Sequence, residues 1–154
     1  MSIKTTEIQN GDTAIFYSVV TTYIINGRQF MYGQSRTNNN RYFIQEISKS
    51  GKVVNAFTES GDRDHYYDFV SVLENNGNDN KSKFLYCSSS DNNVISLFEL
   101  TPDGKTKLEF EGNYFSGDST ALAPYLTDGK LFIYKQDETG NHHWKITNIE
   151  YKPD

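Results

Sequence analysis

Phe30-Met31-Tyr32, Phe84-Leu85-Tyr86 and Phe132-Ile133-Tyr134 are three copies of one pattern, Phe-aliphatic-Tyr, starting 54 and 48 residues apart. Alternate residues of a strand face the same side of a sheet, so the Phe and Tyr of each copy share a face. Rings in such a stripe pack against a neighbouring unit. Each copy follows a second alternating run, at 17–25, 67–73 and 120–126. The two runs are separated by Asn26-Gly27, by the polar stretch 75–82 and by Asp128-Gly129. Alternation interrupted by Asn-Gly or Asp-Gly predicts β-hairpins.

After each aromatic strand a polar turn (37–40, 88–93, 138–141) leads to a third strand at 42–47, 94–100 and 144–149. In two copies Ser50-Gly51-Lys52 or Asp103-Gly104-Lys105 then opens a fourth strand, at 53–57 or 107–110. The third copy has no fourth strand before Asp154, whereas 3–8 near the start of the chain alternates like one. That run precedes Asn10-Gly11-Asp12, as the other fourth strands precede Ser60-Gly61-Asp62 and Ser116-Gly117-Asp118. The reading is a single all-β repeat domain over 1–154, with four-stranded antiparallel units at 11–60, 61–116 and 117–154. The N-terminal strand 2–9 is expected to complete the last unit, which removes exposed sheet edges.

Composition agrees with strands and turns: 11 Tyr and 10 Phe against 3 Pro, with Asn, Ser, Asp and Gly between the apolar runs. With 15 basic and 20 acidic residues the net charge is −5, which disfavours nucleic acid as a partner. No run resembles a signal peptide or a membrane span, so a soluble protein is expected, cytoplasmic or secreted by a non-classical route. Cys87 is the only cysteine and reads as a half-buried structural thiol.

Two architectures suit three four-stranded repeats: β-propeller blades and a β-trefoil. Propeller blades are four-stranded meanders of about 40–50 residues, often closed by a strand from the far end of the chain. Asp128-Gly129-Lys130-Leu131-Phe132-Ile133-Tyr134, with Gly140 and Trp144, resembles the inner hairpin of propeller lectins of the tachylectin and tectonin type. The resemblance covers this hairpin in residue detail and all the repeats in pattern; the several Trp residues of that family are here reduced to Trp144. It implies blades and sugar binding. A propeller needs at least about four blades, so two copies would have to join in a six-bladed ring, a homodimer; a trefoil closes as a monomer.

Asp12, Asp62 and Asp118 recur at corresponding places, and in a blade their loops open on the same side as the polar turns carrying Asn40, Asn93 and Asn141. Carboxylates and amides suit sugar hydroxyls, and Tyr66, Tyr114 and Trp144 offer rings for stacking on a sugar's C–H face. The same residue types also serve plain tight turns, by local hydrogen bonds and positive φ. Asp62, Asp64 and His65 lack matching partners in the other copies, and His142 and His143 on one strand would point to opposite faces, so neither a metal nor a cofactor is expected. No nucleophile elbow, phosphate-binding Gly loop or paired-Cys motif occurs, which argues against an enzyme. The expected function is multivalent carbohydrate binding to glycans or glycoproteins; the alternative is a non-catalytic protein-interaction scaffold.

Overall fold

The computed structural model describes residues 2–76, 82–114, 121–138 and 140–150. These residues contain strands and no helix: β1 Val19–Ile25, β2 Arg28–Gln34, β3 Arg41–Ile47, β4 Val53–Asp62, β5 Phe69–Asn76, β6 Lys83–Ser89, β7 Val94–Leu100, β8 Thr106–Asn113, β9 Ala121–Thr127, β10 Lys130–Gln136 and β11 Trp144–Ile149. Among the described residues no helix is long and apolar enough to cross a membrane.

The strands form three consecutive antiparallel meanders, β1–β4, β5–β8 and β9–β11. The tight hairpins follow from turn chemistry. Asn26-Gly27 (φ 51° and 74°) and Asp128-Gly129 (φ 51° and 75°) have positive φ at both central residues, the geometry of a type I′ turn, whose twist matches the flanking strands. The registers correspond from meander to meander. Tyr32 lies opposite Ile44, Tyr86 opposite Leu97 and Tyr134 opposite Ile146. The register shift that follows Ile44 between β3 and β4 has its counterpart after Leu97 between β7 and β8.

The meanders stack face to face. Tyr23, Phe30, Tyr32, Tyr42 and Ile44 of the first form one core with Tyr67, Leu85, Cys87, Phe98 and Leu100 of the second. The opposite face of the second, with Leu73, Tyr86, Ile95 and Leu97, meets Leu126, Leu131 and Ile133 of the third. Burial on both sides explains why β7 is nearly continuously apolar rather than alternating. The first strands of the meanders adjoin: β1 lies beside β5, and β5 pairs in parallel with β9 at Asn75↔Leu126 and Asn76↔Thr127. That short pairing joins the second and third meanders into one seven-stranded sheet.

Two expectations require correction. Residues 2–9 form no strand and are exposed, so they do not complete the last unit within one chain. The first and third meanders are the outer members of the stack with the whole of the second between them, and the segment leading into β1 is tied to the first meander. There the Gln9 side chain accepts from Val53 N (2.9 Å) and donates to Val53 O (3.4 Å). Secondly, Ser60-Gly61-Asp62 is not a loop: β4 runs through it, because the shifted register brings Tyr42 opposite Gly61 and Arg41 opposite Asp62.

Candidate functional site

Of the aspartates and asparagines picked out by sequence, Asp62, Asn40 and Asn93 make contacts within the chain. Asp12 is exposed in the lead-in to β1. Asp62, at the end of β4, forms an ion pair of 3.6 Å with Arg41. Asp118 lies outside the described residues. Asn40 and Asn93 have φ of 57° and 51° and serve the chain trace. The Asn40 side chain donates to Arg63 O at 3.3 Å, its carbonyl accepts from Arg63 N at 3.2 Å, and the Asn93 carbonyl accepts from Tyr114 N at 2.8 Å. Asn141 is exposed in the turn before β11.

The aromatic candidates are also engaged. Tyr66 shares a hydrogen bond with Ser18 Oγ, and the Arg36 guanidinium lies 4.4 Å from its ring centre, so one face of the ring is covered. Tyr114 packs against the core between the second and third meanders. Trp144 stacks on Tyr134 at 6.1 Å and remains largely exposed. Among the described residues no group of three His, Cys, Asp or Glu side chains could hold a metal ion.

What the structure does build at this end is a polar clamp between the first two meanders that sequence reading missed. Gln34, fully buried, accepts from Tyr67 N at 3.0 Å and donates to His65 O at 2.8 Å and Asn40 O at 3.2 Å. Arg63 lies between the rings of Tyr42 (3.7 Å) and Phe98 (4.3 Å), and its Nη2 donates to Thr106 Oγ1 at 2.9 Å. Thr106 and Tyr42 both donate to Glu59 Oε1, at 2.6 and 2.8 Å. Burial raises the Tyr42 hydroxyl to about 12, and the nearby Arg63 charge opposes the shift. Burial likewise drives the Cys87 thiol far above its usual value, leaving it protonated and inert. His65 Nε2 stands 3.1 Å from Glu111 Oε1, which also accepts from Ser96 Oγ at 3.3 Å. The cluster joins the facing sheets of the first two meanders, so its chemistry is that of a junction.

A concavity lies between the second and third meanders. It has a volume of about 410 Å³, within the range of small-molecule sites. Leu97, Leu126 and Leu131 are buried at its base, while Phe84, Phe110 and Ile149 are half-buried. Glu109, Lys130, Asn148 and Glu150 are exposed around them. The Asn148 amide donates to Glu150 Oε1 at 3.2 Å, which orients that carboxylate. Asn75 Oδ1 accepts from Gly129 N at 3.0 Å and fixes the β9–β10 turn at the cleft's edge. No sequence signal marks this set, because its members come from seven strands, the β9–β10 turn and the residue after β11, and converge only when the two meanders pack.

Comparison with known protein families, curated proteins and solved structures yields no match.

Proposed function

We propose that this chain is a carbohydrate-binding, lectin-like protein without catalytic activity, and that its meanders are blades of a β-propeller. The blade reading is supported over a trefoil by meanders stacked in chain order with their first strands side by side. It accords with the resemblance of the β9–β10 hairpin to propeller lectins. The observation that carries the sugar reading is the cleft between the second and third meanders. An apolar, ring-bearing base suits the C–H face of a sugar, and exposed carboxylates, an amide and an ammonium at the mouth suit its hydroxyls. Glycans or glycoproteins are the partners this chemistry implies.

A glycan array followed by calorimetric titration, with and without calcium, tests the reading. Binding of at least one glycan is expected, weakened about tenfold or more by Glu109→Gln combined with Asn148→Ala, the scale of losing about 1.4 kcal/mol. Asp62→Asn should leave it unchanged; the reverse pattern would move the site to the Gly-Asp loops. An array without signal would sink the sugar reading. The exposed apolar residues of the outer sheet faces favour a second reading, a protein-interaction scaffold. A pulldown that survives sugar competition would select it.

A further inference from the structure

The third meander carries, uncovered, the face that the first meander buries. In the first, Tyr23 stacks on Phe30 (5.6 Å between centroids, 25° between planes) and Tyr32 on Tyr42 (5.9 Å, 26°). In the third, Tyr125 stacks on Phe132 (5.5 Å, 18°) and Tyr134 on Trp144 (6.1 Å, 24°). Strand registers place these pairs at corresponding positions. Tyr42 and Ile44 are 7 % and 0 % exposed, whereas their counterparts Trp144 and Ile146 are 57 % and 51 % exposed.

The second meander covers the first with three devices. The Tyr23 hydroxyl donates to Gly104 O in the β7–β8 turn, the Phe30 ring fills the space beside Gly104, and Gln34 grips the strand entry at His65 and Tyr67. The first meander's outer side offers counterparts of the covering parts, all unengaged by another meander. Its β3–β4 turn repeats the β7–β8 turn bond for bond: Ser48 N to Lys52 O (2.8 Å) and Gly51 N to Ser48 O (2.9 Å) match Thr101 N to Lys105 O (2.8 Å) and Gly104 N to Thr101 O (2.9 Å). The space beside Gly51 is empty. Tyr17 follows Asp12 at the interval by which Tyr67 follows Asp62. On the third meander, Gln136 donates to His142 O at 3.2 Å, as Gln34 does to Asn40 O at 3.2 Å, and bonds to no further meander.

We propose that two copies of this chain assemble by repeating the junction already present between the first and second meanders. The third meander of one copy docks on the outer face of the first meander of the other. Gln136 then takes the backbone of Ile15 and Tyr17 of the second copy, Tyr125 reaches its Gly51, and Phe132, Trp144 and Ile146 are buried. Residues 3–12 match β4 in length and in their closing Gly-Asp, and in one chain they bond to β4 only through the Gln9 side chain. They leave Val53 and lie along β11 of the other copy as β4 lies along β3, which sets Asn10 opposite Lys145 as Ser60 lies opposite Phe43. Two such junctions are related by a two-fold axis and close a ring of six meanders, leaving no open face. This inference rests on the blade reading and not on the sugar cleft, to which Gln136, Phe132 and Ile146 contribute nothing.

Light scattering after size exclusion at about 50 µM should give twice the 17.6 kDa chain mass; such a concentration lies well above the Kd of a stable dimer. Ile146→Glu should give the single-chain mass with an unchanged far-UV circular dichroism spectrum and an unchanged sugar titration. A wild-type monomer, or an Ile146→Glu dimer, would overturn the proposal. Asn10→Cys with Lys145→Cys, oxidised, should run as a chain-to-chain crosslinked species on a non-reducing gel. A crosslink confined to single chains, or none, would overturn the strand exchange. Loss of sugar binding with the dimer intact would count against the cleft alone.

Discussion

The junction between the first and second meanders and the open face of the third are built from the same aromatic ladder, yet one is core and the other surface. The difference lies in what stands opposite. Over Phe30 lies the glycine turn of the second meander, and Tyr67 and Phe98 share its core. Beside Phe132 stands its own neighbour Tyr125, and its ring stays half-exposed. An aromatic stripe in a repeat therefore marks a surface made for burial; whether it is buried depends on the next repeat.

The largest expected effect comes from truncating the matched rings. Phe30→Ala should cost about 3–5 kcal/mol in urea unfolding, the range for a fully buried aromatic that leaves a cavity. Phe132→Ala should cost the isolated chain about 1 kcal/mol, as its ring is only half-buried there. At concentrations where the dimer forms, Phe132→Ala should mainly raise the dimer dissociation constant. Equal stability losses under dilution to monomer would erase the distinction between the two faces.

Glycine substitution in the paired turns sharpens the contrast at smaller amplitude. Gly51 and Gly104 share a left-handed backbone, with φ of 88° and 87°, so alanine strains each by about 1 kcal/mol. At Gly104 a Cβ would also stand 2.4 Å from the Phe30 ring, and relieving that overlap in a packed core adds about 1–3 kcal/mol. In the Ile146→Glu background, where Gly51 stays uncovered, thermal or urea unfolding should separate Gly104→Ala from Gly51→Ala by that added amount. A smaller separation would mean that the Phe30 ring shifts freely and the junction is loosely packed.

Cys87 reports on the same junction without any mutation. It is fully buried between the first two meanders, and burial keeps the thiol protonated. An aromatic disulfide reagent at pH 8 should leave it unmodified in the native protein and label it fully in urea. Labelling at the rate of a free thiol under native conditions would mean that the two meanders part readily.

Much of the fold was legible because its determinants are local. Alternation set the strand positions to within a few residues, and Asn26-Gly27 and Asp128-Gly129 demanded tight hairpins through their positive φ. The fourth strands were read too short, as 53–57 and 107–110 against β4 and β8. Their continuations through Ser60-Gly61-Asp62 and Glu111-Gly112-Asn113 look like turn chemistry and are held extended only by partners in β3 and β7. Turn composition also drew the site reading to the Asp and Asn residues, whose side chains and backbones here mostly serve the chain itself.

The sequence by itself determined an all-β chain of successive meanders with an aromatic stripe in each, because periodicity and turn dihedrals depend on neighbours a few residues apart. Only the tertiary structure decided that the second meander is covered on both sides and that residues 2–9 form no strand in one chain. It alone decided, too, that Glu109, Lys130, Asn148 and Glu150 share a cleft. Those outcomes depend on which sheet faces meet, and that is settled by shape and burial between residues far apart in the chain.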